Sequence, residues 1–270
     1  MLKIAIIGCG NMGIAYAKSF LKYEITSREN LILIEKNHEQ AKKLDSLNMG
    51  IVYSKVDKFT IQPAEVVILA IKPQDFKDIA AQLKNAIQSN QLILSIMAGI
   101  TIQKIMSLVS HPYIVRAMPN TPAQVGMGVT AYVASSQTSM SHIRMVEKLL
   151  STTGREILVE DESILDVVTA VSGSGPAYFY YFVKAMIEGA KKMGLDEAMA
   201  SLLVKQTMIG SYHLMNNSDK NLDELILSVK SRGGTTEAAL NQFEKNNFFD
   251  IVVNALFAAK NRAQELSEII

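Results

Sequence analysis

The chain has 270 residues, 49% of them hydrophobic, enough to bury a large core and to divide into two domains. A formal net charge of +1 with no long like-charge block excludes the electrostatic footprint of a nucleic-acid or membrane-surface binder. One cysteine, Cys9, rules out an intramolecular disulfide and a cysteine-based metal cluster, so no metal is expected.

The first apolar run, Ile4 to Ile7, reads as a buried strand and leads into Gly8-Cys9-Gly10-Asn11-Met12-Gly13 and then a helical pattern from Ile14 to Leu21. A G-x-G-x-x-G between strand and helix is the context that makes this pattern a dinucleotide-binding signal. Gly8 permits the tight turn, Gly10 lets backbone approach a pyrophosphate, and Gly13 lets helix pack closely on strand. Cys9 reads as a small space-filler. The stretch is too short for a signal peptide, and no apolar run is long enough to span a bilayer, so a cytoplasmic protein is expected.

Strand patterns follow at Leu31–Ile34, 66–70, Leu92–Ser95, 113–116 and 129–133. They alternate with helical patterns at 39–47, 75–87, Ile102–Val109 and Met140–Leu150. Near-continuous apolar strands between amphipathic helices predict a mostly parallel sheet covered on both faces, with ligands beyond the carboxyl ends of the strands. Glu35 closes the second strand, where it would accept from an adenosine 2′-hydroxyl and repel a 2′-phosphate, while Lys36 beside it would bind that phosphate. Both NADH and NADPH therefore stay open, with Glu35 tilting towards NADH. Ala70-Ile71-Lys72-Pro73, Met97-Ala98-Gly99 and Met118-Pro119-Asn120-Thr121-Pro122 follow three other strands and should fall on the cofactor rim. For Lys72, a ribose or phosphate contact and a merely solvated lysine are both open. Asn120 sits in a proline-stiffened loop that suits either nicotinamide positioning or a plain structural turn.

Beyond about residue 160 the strand patterns stop. The expected domains are 1–160, dinucleotide-binding, and 161–270, helical. Ser172-Gly173-Ser174-Gly175-Pro176 reads as the capped opening of a helix running to Met193, with Gly194 as its stop. That helix is apolar nearly all round, so its burial calls for a second subunit. Asp196 caps the next helix, to about Met215, and a short one spans about 222–229. Ser231-Arg232-Gly233-Gly234-Thr235-Thr236 then enters another helix, and the last runs over about 248–266. Here threonine capping and an anion cradle of backbone N–H groups are alternative readings.

Taken in order, the Gly8–Gly13 loop, Lys72-Pro73, the 118–122 loop, Val171 to Ala177 and the Gly233–Thr236 segment resemble pyrroline-5-carboxylate reductase across essentially the whole chain. The Ser-Gly-Ser-Gly-Pro-Ala segment with a downstream Gly-Gly-Thr-Thr is the most specific part. The resemblance implies an α/β Rossmann-type doubly wound sheet followed by an all-α helical dimerisation domain. It implies a homodimer or a higher assembly of dimers, with the active site between the Rossmann domain of one subunit and the helical domain of its partner. It also implies NADPH or NADH as hydride donor, and reduction of L-1-pyrroline-5-carboxylate to L-proline.

Carried over by residue, Ile7, Gly8, Cys9, Gly10, Asn11, Met12, Ala70, Ile71, Lys72, Pro73, Ile96, Met97 and Ala98 hold the cofactor, alongside Gly13, Glu35 and Lys36. Asp57 falls near the adenosine ribose and Asn120 near the nicotinamide. Ser231, Gly234, Thr235 and Thr236 hold the substrate, Thr236 also acting catalytically at the ring nitrogen. Two departures bear on substrate preference: Lys230 and Arg232 flank Ser231, and Lys220-Asn221 replaces a usual His-Pro pair. The four histidines (His38, His111, His142, His213) lie outside these motifs. A β-hydroxyacid dehydrogenase would need Lys184 followed a turn later by asparagine, where Ile187 and Glu188 stand. A non-catalytic NAD(P) sensor would leave the second glycine loop without a purpose.

Overall fold

A computed structural model of the protein describes residues 1–268. Its strands are β1 (Ile4–Ile7), β2 (Leu31–Ile34), β3 (Ile51–Tyr53), β4 (Val66–Leu69), β5 (Leu92–Ser95), β6 (Ile114–Met118), β7 (Gly128–Ala134) and β8 (Gly154–Leu158). They form one sheet in the order β3-β2-β1-β4-β5-β6-β7-β8, parallel except where β7 runs against β6. The order reverses at β1, which lies between β2 and β4, so the crevice for a ligand opens at the carboxyl ends of those strands.

Alternation along each strand divides the core in two. Ala5, Ile7, Ile32, Ile34, Val67, Leu69 and Ile93 face one layer; Ile4, Ile6, Leu31, Leu33, Val66, Ile68 and Leu92 face the other. The interposed helices are α1 (Asn11–Lys22), α2 (His38–Ser46), α3 (Lys58–Ile61), α4 (Phe76–Ala86), α5 (Ile102–Val109) and α6 (Met140–Leu150). Phe76, Leu83 and Ile105 of α4 and α5 cover the first face, while Tyr16, Phe20, Leu44 and Val146 of α1, α2 and α6 cover the second. Each of these large side chains contributes about 1.5–3 kcal/mol on burial.

Strands β3 and β8 and helix α3 were not apparent from periodicity. The chain after β8 also departs from expectation. Helix α7 (Ile164–Val168) leads into a π turn at Thr169–Gly173, in which the Ser174 N–H donates to the Thr169 carbonyl at 2.8 Å. Helix α8 (Gly175–Lys192) follows at once. The Ser172–Pro176 segment is therefore a bulge within a helical run and not a capped opening. Pro176 sits at the second position of α8, directly after the π turn. The closing glycine behaves as expected: Gly194 has φ +102, and Leu195 N–H reaches back to the Ala190 carbonyl at 3.2 Å.

The remaining helices are α9 (Glu197–Asn217), α10 (Leu222–Val229), α11 (Thr235–Lys245) and α12 (Phe248–Glu268). Asp196 caps α9 through the Met199 N–H, and Asn221 caps α10 in a reciprocal box with Glu224. The chain forms two compact units, one of residues 1–174 together with the stretch from Ala259 onward, the other Gly175–Ala258. This differs from a cut at 160. The segment after β8 stays with the sheet because Leu165 joins its core and the buried Arg116 of β6 pairs with Glu162 (3.0 Å) and Asp166 (3.1 Å). Among the described residues, no helix is long and apolar enough to cross a membrane.

Candidate active site

At the end of β1, Gly8 has φ +91, and a Cβ there would meet the Ala70 carbonyl oxygen at 2.7 Å. A Cβ on Gly13 would run into the Gly8 carbonyl, so α1 packs directly on the loop. Gly10 is different: a Cβ there meets nothing within 4 Å. Gly10 is also the N-cap of α1, and no side chain caps the helix. The first N–H groups of α1 thus face open space with the positive end of the helix dipole behind them, an arrangement that fits a pyrophosphate.

Ile7, Gly8, Gly10, Glu35, Lys36, Ala70, Ile71 and Lys72, all among the residues expected at the cofactor, line one cleft of about 590 Å³. Ser54, Lys55 and Val56 after β3, and Asp75, Asp78, Ile79 and Gln82 around the start of α4, line it too and were missed. Cys9 in the glycine turn, Asn11, Met12 and Gly13 in the first turn of α1, and Pro73 at the start of the tight turn before α4 adjoin the cleft without lining it. Cys9 is fully buried; burial first, and the Glu35 charge second, push its thiol up to about 12, which makes it a filler and not a nucleophile. Met97 is buried in the core beneath the rim, with Ile96 and Ala98 half-buried on either side.

Three expected contacts are redirected. Glu35 lines the cleft and also braces the glycine loop: its carboxylate accepts the Cys9 N–H at 3.0 Å and the Asn37 N–H at 2.8 Å. Asp57 does not line the cleft. Its carboxylate caps α3, accepting from the Phe59 and Thr60 N–H groups in a box completed by the Thr60 hydroxyl. The pattern Asp57-x-x-Thr60 was a local signal for that role. Asn120 braces its loop, its Oδ1 accepting the Val129 N–H at 3.0 Å and its Nδ2 donating to the Ser172 hydroxyl at 3.2 Å. Ser172, read as a capping residue, caps nothing and instead holds Asn120.

The second cradle lies within the helical unit. Gly234 is the N-cap of α11 with no side-chain cap, so neither Thr235 nor Thr236 closes the helix. Gly233 has φ +73, and its N–H donates to Glu237 at 2.7 Å. Lys230 pairs with Glu237 at 3.8 Å, Arg232 is exposed, and Thr236 is half-buried. A Cβ on Gly234 would meet the Ser231 hydroxyl, so a larger residue there would have to displace that side chain. The uncapped amides of α11 favour a small anion such as a carboxylate.

Comparison with known proteins follows this geometry. Residues 162–266 match the family model described as pyrroline-5-carboxylate reductase dimerisation, and residues 3–99 match one described as NADP oxidoreductase, coenzyme F420-dependent. A pyrroline-5-carboxylate reductase of Haemophilus influenzae is 37% identical over 98% of this chain and 98% of its own length. Its Pseudomonas aeruginosa counterpart is 36% identical over 98% and 97%. The chain belongs to the pyrroline-5-carboxylate reductase family. A crystal structure of Plasmodium falciparum pyrroline carboxylate reductase with NADP bound is similar with a TM-score of 0.90, at 29% identity over 98% of each chain. In this reductase the two matched stretches fall on the two cradles, the glycine loop lying in the first and α11 in the second. Lys184 is exposed on α8 with Ile187 and Glu188 after it, so the dehydrogenase reading gains nothing from the fold.

Proposed function

We propose that this chain reduces L-1-pyrroline-5-carboxylate to L-proline with NADPH or NADH, as a homodimer or an assembly of dimers in the cytoplasm. The domains assigned to this work are 1–160 for the dinucleotide and 161–270 for substrate and dimerisation. The observation that carries the reading is the pair of uncapped, glycine-entered helices, α1 and α11, in a chain of this family. A nicotinamide held in the first cradle would supply a hydride to C5 of the substrate ring, and solvent would supply the proton that the ring nitrogen takes up.

The chain's own groups bind and orient. The N–H groups from Gly10 to Gly13 take the pyrophosphate, and Lys72 takes a ribose or phosphate oxygen. Ala70, Ile71, Pro73 and the Ile96–Ala98 rim pack against the dinucleotide. Asn120, fixed by Val129 and Ser172, keeps the nicotinamide end of the rim rigid. In the second cradle the Gly234, Thr235 and Thr236 amides hold the carboxylate, with Ser231 beside them. The Thr236 hydroxyl hydrogen-bonds the ring nitrogen. Catalysis then rests on proximity and electrostatic pre-organisation, with no covalent intermediate on the protein.

The test follows NADPH and NADH absorbance with pyrroline-5-carboxylate, then repeats it with 3-hydroxy acids in reverse. Turnover of the imine is expected; binding without turnover would leave the sensor reading. Thr236→Val should lower kcat/KM by about 1–3 kcal/mol, the scale of a lost hydrogen bond to a polarised group. Unchanged kinetics would remove Thr236 from the mechanism.

A further inference from the structure

The end of β2 ordinarily decides between the two nicotinamide cofactors, because the adenosine 2′ position lies there. In this chain the acidic residue at that point has a second task, bracing backbone on both carboxylate oxygens. Glu35 faces the glycine loop and accepts two backbone N–H groups. The neighbouring Lys36 is the group that reaches into the cleft, and its ammonium is paired with the Asp75 carboxylate. Asp75 lies in the tight turn Pro73–Asp75 between β4 and α4, so the pair runs from one wall of the cleft to the other. Both partners are accessible: the Lys36 side chain is 71% exposed and that of Asp75 35%.

We propose that Asp75 is a cofactor-selectivity residue, holding Lys36 across the adenosine end of the cleft so that a 2′-phosphate must displace it. A cofactor with a 2′-hydroxyl leaves the pair intact. A cofactor with a 2′-phosphate draws Lys36 away and meets the freed Asp75 carboxylate, with Asp78 on the same wall. An exposed ion pair is weak and screened by salt, so a doubly charged phosphate competes for Lys36 at a modest penalty. Asp75 therefore moderates NADPH binding without forbidding it. The inference rests on the proposed dinucleotide role of this cleft.

The experiment is calorimetric titration of the full-length protein with 2′,5′-ADP, 5′-AMP, NADPH and NADH, for the wild type, Asp75→Asn, Lys36→Gln and the double variant. All four proteins should unfold at closely similar temperatures, since the pair is solvent-accessible and an exposed ion pair adds little stability. Asp75→Asn is expected to bind 2′,5′-ADP and NADPH roughly fivefold tighter, with 5′-AMP and NADH changed by less than about twofold. Lys36→Gln should weaken the 2′-phosphorylated ligands alone, and in the double variant the gain from Asp75→Asn should vanish. Equal shifts for both ligand classes, or no shift, would overturn the proposal. If the wild type binds no dinucleotide at all, the cofactor reading falls with it. If the binding ratio moves as stated but pyrroline-5-carboxylate is not reduced, the selectivity role stands and the proposed reaction fails.

Discussion

The strands of the first unit are shielded almost completely, with Ile4, Ala5 and Ile6 at 0% exposure and Ile7 at 2%. The helices of the second unit are not: Phe179 and Tyr181 on α8 are 63% and 76% exposed, and Leu202 on α9 is 66% exposed. Both regions are comparably apolar in sequence. The difference is that a doubly wound sheet supplies its own cover on both faces, whereas α8 and α9 have more apolar surface than one chain covers. A lone chain rarely carries so much exposed apolar surface, and the match to a dimerisation family over residues 162–266 says what kind of cover is missing.

The strongest way to break the first unit is at its tightest contact. In Gly13→Ala the new methyl meets the Gly8 carbonyl, and we expect a loss of about 3 kcal/mol in stability together with loss of dinucleotide binding. Gly10→Ala meets no atom, so its unfolding temperature should stay near that of the wild type while cofactor affinity falls. Thermal unfolding paired with cofactor titration separates the two. Equal melting of both variants would mean that the close packing of α1 on the loop is wrong.

The second unit is challenged by charge. Phe179→Asp or Leu203→Asp should weaken self-association by about 2 kcal/mol or more, seen by sedimentation equilibrium. Phe59→Asp, at an 89% exposed position on α3 of the first unit, should leave association unchanged. If all three behave alike, exposure on α8 and α9 does not mark the interface.

The smallest effect sharpens the picture of the sheet side. Burial holds the His111 imidazole below the ordinary histidine range, opposed by its hydrogen bond to the Gln91 carbonyl at 2.6 Å and reinforced by the nearby His142. The folded state therefore binds a proton there less readily than the unfolded chain. That stability is present in full above the unfolded pKa of about 6.5 and is lost as pH falls through the lower folded value. Urea unfolding of wild type and His111→Gln at roughly pH 7.5 and pH 5 should show a smaller pH dependence in the variant. An identical dependence would place the titrating groups elsewhere.

Local signals accounted for much of this architecture. The buried strands Leu31–Ile34 and Leu92–Ser95 and the helices Ile102–Val109 and Met140–Leu150 were readable to the residue, because apolar runs and capping side chains act over a few positions. Strands β3 and β8 were not. Ile51, Tyr53, Ile157 and Leu158 are 39–53% exposed at the two sheet edges, so no burial pattern is written into them. Their pairing partners lie elsewhere in the chain. The π turn escaped because glycine, serine and proline look alike at a helix start and at a bulge. The glycine cradles were legible since backbone geometry demands those residue types. The directions of Glu35, Lys36 and Asn120 were not, since each is set by a partner distant in sequence: Cys9, Asp75 and Ser172.

The buried thiol of Cys9 has a practical consequence. It sits in the glycine turn proposed to hold the dinucleotide, fully enclosed and held in its protonated form, with no second cysteine anywhere in the sequence. An alkylating reagent can reach it only during moments when that turn comes apart. The rate of labelling thus serves as an internal clock for the opening of the glycine turn, and any molecule that settles there should slow it.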